Sequence, residues 1–122
     1  PSDLVRNVAR GVDMFDCVMP TRNARNSQIF TANGKINIRN AKYKNDFSLI
    51  DESSLSPYSQ KYTKAYLHHL FKTQEVLGLR ITSQHNLHFY IQLMEIMRQE
   101  ILKDNFETWA NQFLKCYEGE SL

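Results

Sequence analysis

The residues most able to do chemistry lie in the run RGVDMFDCVMPTRNAR at positions 10–25, where Asp16 closes an apolar stretch and Arg22 and Arg25 follow it. An ionised aspartate is costly to bury without a partner, so a purely structural strand would avoid it. A carboxylate at the end of a strand can act as a nucleophile or an acid–base group, and strand ends are where barrel enzymes hold such groups. The alternatives are that Asp16 caps a turn or pairs with Arg22. Asp13, three residues upstream, falls on the opposite strand face and reads as a structural ion-pairing residue with no assigned role. The two arginines suit anion recognition, because a guanidinium fork can contact a phosphate or a guanine edge in two places. Residues 21–45 hold six basic side chains, Arg22, Arg25, Lys35, Arg39, Lys42 and Lys44, and no acid. That excess favours a polyanionic partner over a merely solvated basic turn.

The elements that must position these groups follow from local patterning. Residues 12–19 are mostly apolar and predict a strand buried on both faces, ended by Pro20. Upstream, Ser2 can cap a short helix whose Val5, Val8 and Ala9 share a face, and Gly11 can end it in the left-handed conformation. Residues 28–31 and 35–39 alternate around Ala32, Asn33 and Gly34, a hairpin signal that puts Ile36 and Ile38 on one side and Lys35, Asn37 and Arg39 on the other. Residues 40–60 turn polar and serine-rich, and composition alone permits a linker. Three amphipathic helices are predicted after it: one over 62–77 stopped by Gly78, one opened by Ser83, and one capped by Asp104 or Asn105 and stopped by Gly119. The second should bury Leu87, Tyr90, Ile91, Met94, Met97 and Ile101, and the third Phe106, Trp109, Ala110, Phe113 and Tyr117.

The 122 residues allow one domain with a modest core, but a whole α/β barrel typically needs roughly 250. Cys17 and Cys116 are too few and too distant for a secreted disulfide framework, which favours a reduced cytosolic compartment. No apolar run has the length of a membrane span, no signal-peptide pattern opens the chain, and a start at Pro1 fits a fragment or a processed chain.

The run VARGVDMFDCVMPTRNARN resembles the signature of tRNA-guanine transglycosylases, and the resemblance continues without a gap through GKINIRNAKY, YTKAYLHHL and HNLHFY. It implies an α/β fold: the C-terminal fragment of a (β/α)8 TIM barrel, with the last helix and strand over 1–22, a basic loop and β-hairpin over 23–50, and a helical, normally zinc-binding subdomain over 51–122. It implies that Asp16 matches the nucleophile of a base exchange in which wobble guanine in tRNA is replaced by a 7-deazaguanine, queuine or its precursor, through a covalent Asp–ribose intermediate. Thr21, Arg22, Asn23, Ala24 and Arg25 match the segment that reads the anticodon bases. The pocket for the incoming base and the second catalytic carboxylate belong to earlier barrel strands, so the fragment alone is expected to be inactive.

The family's Cys-x-Cys-x-x-Cys element and a later histidine hold a structural zinc, and those positions fall on Ser54, Ser56, Ser59 and His85. A serine hydroxyl is not appreciably ionised at neutral pH, so no zinc is expected here and residues 51–60 should loosen. His85 then reads as a helix-start or packing residue, and His68, His69 and His88 as surface or interface residues. The implied partners are the tRNA anticodon arm and a second copy of the chain, with no membrane. The competing readings are a non-catalytic RNA-binding or dimerisation module, and a helical scaffold with no link to RNA.

Overall fold

A hairpin register decides the centre of the fold. In the computed structural model, which describes residues 1–119 and 121–122, β1 (Gln28–Thr31) pairs antiparallel with β2 (Gly34–Asn37), Ile29 opposite Ile36 and Thr31 opposite Gly34. Gly34 takes φ 109°, a region closed to most side chains, and the Thr31 hydroxyl donates to its carbonyl at 2.7 Å. The expected facing holds: Ile29 and Ile38 are fully buried, while Lys35, Asn37 and Arg39 are exposed. This is the one sheet among the described residues. The rest is helical: α1 (Ser2–Ala9), α2 (Met19–Arg25), α3 (Pro57–Lys61), α4 (Lys64–Lys72), α5 (Val76–Leu102) and α6 (Phe106–Glu118), with a 3-10 turn at Ala41–Tyr43.

The chain divides into two units, Val18–Phe89 and Pro1–Cys17 with Tyr90–Leu122. In the first of these, Ile29, Ile38, Tyr43, Ile50, Leu67, Leu70, Phe71 and Ile81 form one buried cluster. Burial of such side chains stabilises by about 1.5–3 kcal/mol each before conformational entropy is counted. Thr63 caps α4 by accepting the Tyr66 amide at 3.1 Å. Gln74 at φ 56° and the Glu75 amide on the Leu70 carbonyl then turn the chain, so α4 is shorter than predicted and α5 begins at Val76 rather than near Ser83. Gly78 is not a helix stop. It lies inside α5 where an added Cβ would come within 3.1 Å of the Leu70 Cβ, so its lack of a side chain permits close helix approach.

Residues 51–60 are no linker either. The Asp51 carboxylate accepts the Ala32 amide at 3.0 Å and the Ser53 amide and hydroxyl at 2.9 and 2.6 Å, which fastens the serine segment to the hairpin tip. Composition concealed this, because Asp51, Ser54 and Ser59 are buried with hydrogen-bond partners inside the fold rather than solvated.

In the other unit, α1 ends as expected at Gly11, φ 94°, and Arg6 pairs with Glu118 of α6 at 3.1 Å. Ser2 does not cap α1. The N-cap is Pro1 and Ser2 is buried within the first turn. Tyr90, Leu93 and Met97 are the inward stripe of α5, whereas Ile91 and Ile101 are exposed, as is Leu87 earlier in the helix, so the predicted stripe is rotated. Residues 12–18 are not a strand but have no regular secondary structure, and Val12, Met14 and Val18 are exposed. A strand buried on both faces needs neighbours to take its backbone hydrogen bonds, and no described residue pairs with this run.

Candidate nucleic-acid interface

The expected loop over 21–25 is instead the body of helix α2. Pro20 does not end a strand here; it occupies the first turn of the helix, where its missing N–H costs nothing. Helical geometry separates the five candidate residues. Arg22 and Arg25, three apart, share the exposed side, Thr21 is half-buried, and Asn23 and Ala24 face inward. The Thr21 hydroxyl bonds the Val18 carbonyl at 3.3 Å, and the Asn23 amide donates to Gln28 Oε1 at 2.7 Å. Lys35, Arg39, Lys42 and Lys44 are also exposed in this unit. Arg39 lies over the Phe71 ring at 5.9 Å and Lys42 over the Tyr43 ring at 5.0 Å, while none of the six cations forms a salt bridge among the described residues. Cations without acidic partners are free to pair with phosphate.

Asp16 is exposed on the irregular run and belongs to the other unit. The side chain is not sealed in a core ion pair, the arrangement that would have ruled out chemistry at this position.

The serine positions and His85 are brought together and buried. His85 sits in the middle of α5, not at its start. Its Nε2–H donates to the Phe30 carbonyl at 2.6 Å, which leaves Nδ1 as an acceptor for the Ser59 hydroxyl at 2.5 Å. The Ser54 hydroxyl accepts the Ser56 amide at 3.2 Å, and Ser56 Oγ has no partner among the described residues. Burial holds His85 below the usual histidine range, opposed by the Phe30 carbonyl and the Asp51 charge. His68 is also buried, with Nδ1 donating to the Ile38 carbonyl at 2.7 Å, so it is a packing residue and not a surface one. His69 is exposed and His88 half-buried.

A family model described as queuine tRNA-ribosyltransferase matches residues 1–119. The chain belongs to the queuine tRNA-ribosyltransferase family. It is 53% identical over 115 residues to the queuine tRNA-ribosyltransferase of Histophilus somni, covering 94% of this chain and 31% of that protein. Those of Francisella tularensis subsp. mediasiatica and Helicobacter pylori are 52% and 48% identical over 117 and 121 residues, 96% and 99% of this chain and 32% and 33% of those proteins. The chain thus spans about a third of the length of the relatives it matches.

The zinc that the family resemblance implies finds a poor donor set in this chain. His85 has the posture of a metal ligand, with Nε2–H fixed on a carbonyl and the Nδ1 lone pair facing the cluster. The other three positions carry neutral hydroxyls, one of which, Ser56 Oγ, is buried without a hydrogen-bond partner among the described residues. No three His, Cys, Asp or Glu side chains converge among the described residues. One imidazole and three hydroxyls do not fit zinc. The sequence reading missed two residues that organise this region, Asp51 and Asn86. Nothing in their local spacing marks them, since each acts on backbone groups distant in sequence.

Proposed function

We propose that the chain carries the tRNA-reading face and the nucleophile of a tRNA-guanine transglycosylase, as the C-terminal part of a longer (β/α)8 barrel enzyme acting on cytoplasmic tRNA. The observation that carries this reading is the set of six exposed cations on or next to α2, the hairpin and the 3-10 turn, none of them in a salt bridge among the described residues. In the exchange, the Asp16 carboxylate attacks the anomeric carbon of the wobble ribose as its bond to guanine breaks. The incoming 7-deazaguanine then forms the new bond and releases the carboxylate. Arg22 and Arg25 hold the anticodon arm. Residues 12–19 become the strand of the barrel only beside the neighbours that the remaining two thirds of the relatives' length would supply. The base pocket and the second carboxylate belong to that portion, so this chain alone should not turn over. The serine cluster works without zinc as a hydrogen-bonded knot, and pairing of two copies around it and α4 belongs to the same reading.

Binding of tRNA to the purified chain tests the first part. Affinity should fall steeply with salt, and Arg22→Ala or Arg25→Ala should weaken it by about 1 kcal/mol or more. Binding that is absent, or unmoved by salt, overturns it. Base exchange by the 122-residue chain would overturn the claim of incompleteness.

A second reading, a non-catalytic RNA-binding module, is favoured by the exposed Asp16 on an irregular segment outside the unit that bears the cations. The full-length protein separates the two: if exchange survives Asp16→Ala while Arg22→Ala weakens tRNA binding, the module reading holds.

A further inference from the structure

Asn86 is fully buried on α5, and its carboxamide reaches three backbone groups on two other elements. Its Oδ1 accepts the Phe30 amide at 3.1 Å, and its Nδ2 donates to the Gln28 carbonyl at 2.9 Å and the Pro20 carbonyl at 3.0 Å. In β1 the alternate residues Ile29 and Thr31 point their backbone groups at β2, and just before the strand the Ser27 carbonyl accepts the Ile38 amide at 3.0 Å. Gln28 and Phe30 therefore present the free edge of the hairpin. Asn86 covers that edge as a neighbouring strand would, and the adjacent His85 takes the Phe30 carbonyl. The second N–H of Asn86 extends the strap to Pro20, in the first turn of the helix that bears Arg22 and Arg25. Asn23, inward on that helix, adds a second strap to Gln28.

We infer that Asn86, assisted by Asn23, is a positioning residue for RNA binding: it locks the arginine helix to the hairpin, so that Arg22, Arg25 and the hairpin cations meet a phosphate backbone as one preset face. This inference rests on the RNA-binding reading above and changes the role of Asn23 from an RNA contact to a brace. The chemistry admits few substitutes, because the site must offer one acceptor and two donors. A carboxylate at position 86 would place negative charge against the Pro20 and Gln28 carbonyls, and an alkyl side chain would remove the partner that Asn86 gives to the Phe30 amide and to the Gln28 and Pro20 carbonyls.

The experiment measures the affinity of the 122-residue chain for a short hairpin RNA with a guanine-containing loop across a salt series, beside thermal unfolding of each variant. Thr82→Val is the control, since the buried Thr82 hydroxyl bonds only the Gly78 carbonyl within α5, at 2.9 Å. Asn86→Asp should weaken binding about tenfold and flatten the slope of log affinity against log salt by about one, because fewer phosphates are engaged together. Thr82→Val should lower the unfolding temperature and leave the slope unchanged. If Asn86→Asp does not fold, Asn23→Ala, which keeps Asn86, should show the same flattening at smaller size. Wild-type affinity and slope in a folded Asn86→Asp chain, or in Asn23→Ala, would overturn the positioning role alone. A wild-type chain with no salt-dependent RNA binding would instead overturn the reading beneath it.

Discussion

The two candidate halves of the chemistry, the cationic face and the nucleophile, are built in opposite ways. Arg22 and Arg25 ride on a helix that is strapped to a hairpin over a buried cluster of eight side chains, all within residues 18–89. Asp16 lies on an exposed run with no regular structure and no strand partner. The helix that bears the arginines and the hairpin are held by contacts made within residues 18–89, whereas a strand buried on both faces needs neighbours to take its backbone hydrogen bonds, and no described residue supplies them to residues 12–18.

The largest expected effect removes the main chemical departure in the ordered half. The triple variant Ser54→Cys, Ser56→Cys, Ser59→Cys should bind one equivalent of zinc, because His85 already turns Nδ1 toward position 59 and positions 54 and 56 are buried in the same segment. Structural zinc contributes on the order of 10 kcal/mol of apparent binding energy in small sites. Zinc content by elemental analysis and a chelator-reversible rise in unfolding temperature check this. Zinc uptake by the unaltered chain would show that the hydroxyl set suffices and would undo the metal-free reading.

Next in size is the core itself. Leu67→Ala, at a fully buried position, should cost about 2–5 kcal/mol in chemical denaturation. Met14→Ala on the irregular run, which is 87% exposed, should stay within about 0.5 kcal/mol. Equal costs at the two sites would erase the contrast between the halves.

What could be read from the sequence divides along the same line. The hairpin, the Gly11 and Gly119 helix ends and the six-cation stretch were legible, because turn chemistry and charge act over a few residues. The strand over 12–19 was not. Its apolar pattern describes the environment it would have in a sheet, and no described residue offers it a strand to pair with. Pro20 was ambiguous in itself, since the ring that ends a strand also suits the first turn of a helix. Gly78 likewise reads as a stop until Leu70 is seen 3.1 Å from its vacant Cβ position. In the candidate site, the arginines and the serine cluster were visible as residue types. Asn86 was invisible, because its meaning lies in contacts made 56 to 66 residues away.

A smaller effect belongs to His85. Burial keeps its folded-state pKa below the ordinary value of about 6.5, so below that pH the unfolded chain takes up a proton that the folded chain refuses. Stability should therefore be level above about pH 6.5 and fall as pH drops toward the depressed folded value, by about 1.4 kcal/mol for each unit separating the two. Denaturation midpoints across this range check the sign. Stability that rises on acidification would mean that the knot accepts the charge, contrary to the burial of His85 and to the acceptor role of its Nδ1 toward the Ser59 hydroxyl.

The smallest expected effect tests the irregular side of the contrast most directly. Asp16→Asn in this chain should change stability by no more than about 0.5 kcal/mol and leave the salt slope of RNA binding as it was, because the side chain is exposed and in no salt bridge among the described residues. A structural aspartate would behave otherwise: breaking a buried ion pair costs about 3–5 kcal/mol. In the full-length protein the same substitution should leave tRNA binding in place while abolishing exchange, since an amide cannot serve as the leaving carboxylate. A carboxylate without structural cost but with a large catalytic one is what a held nucleophile must be. A stability loss in the short chain would move Asp16 from chemistry to architecture.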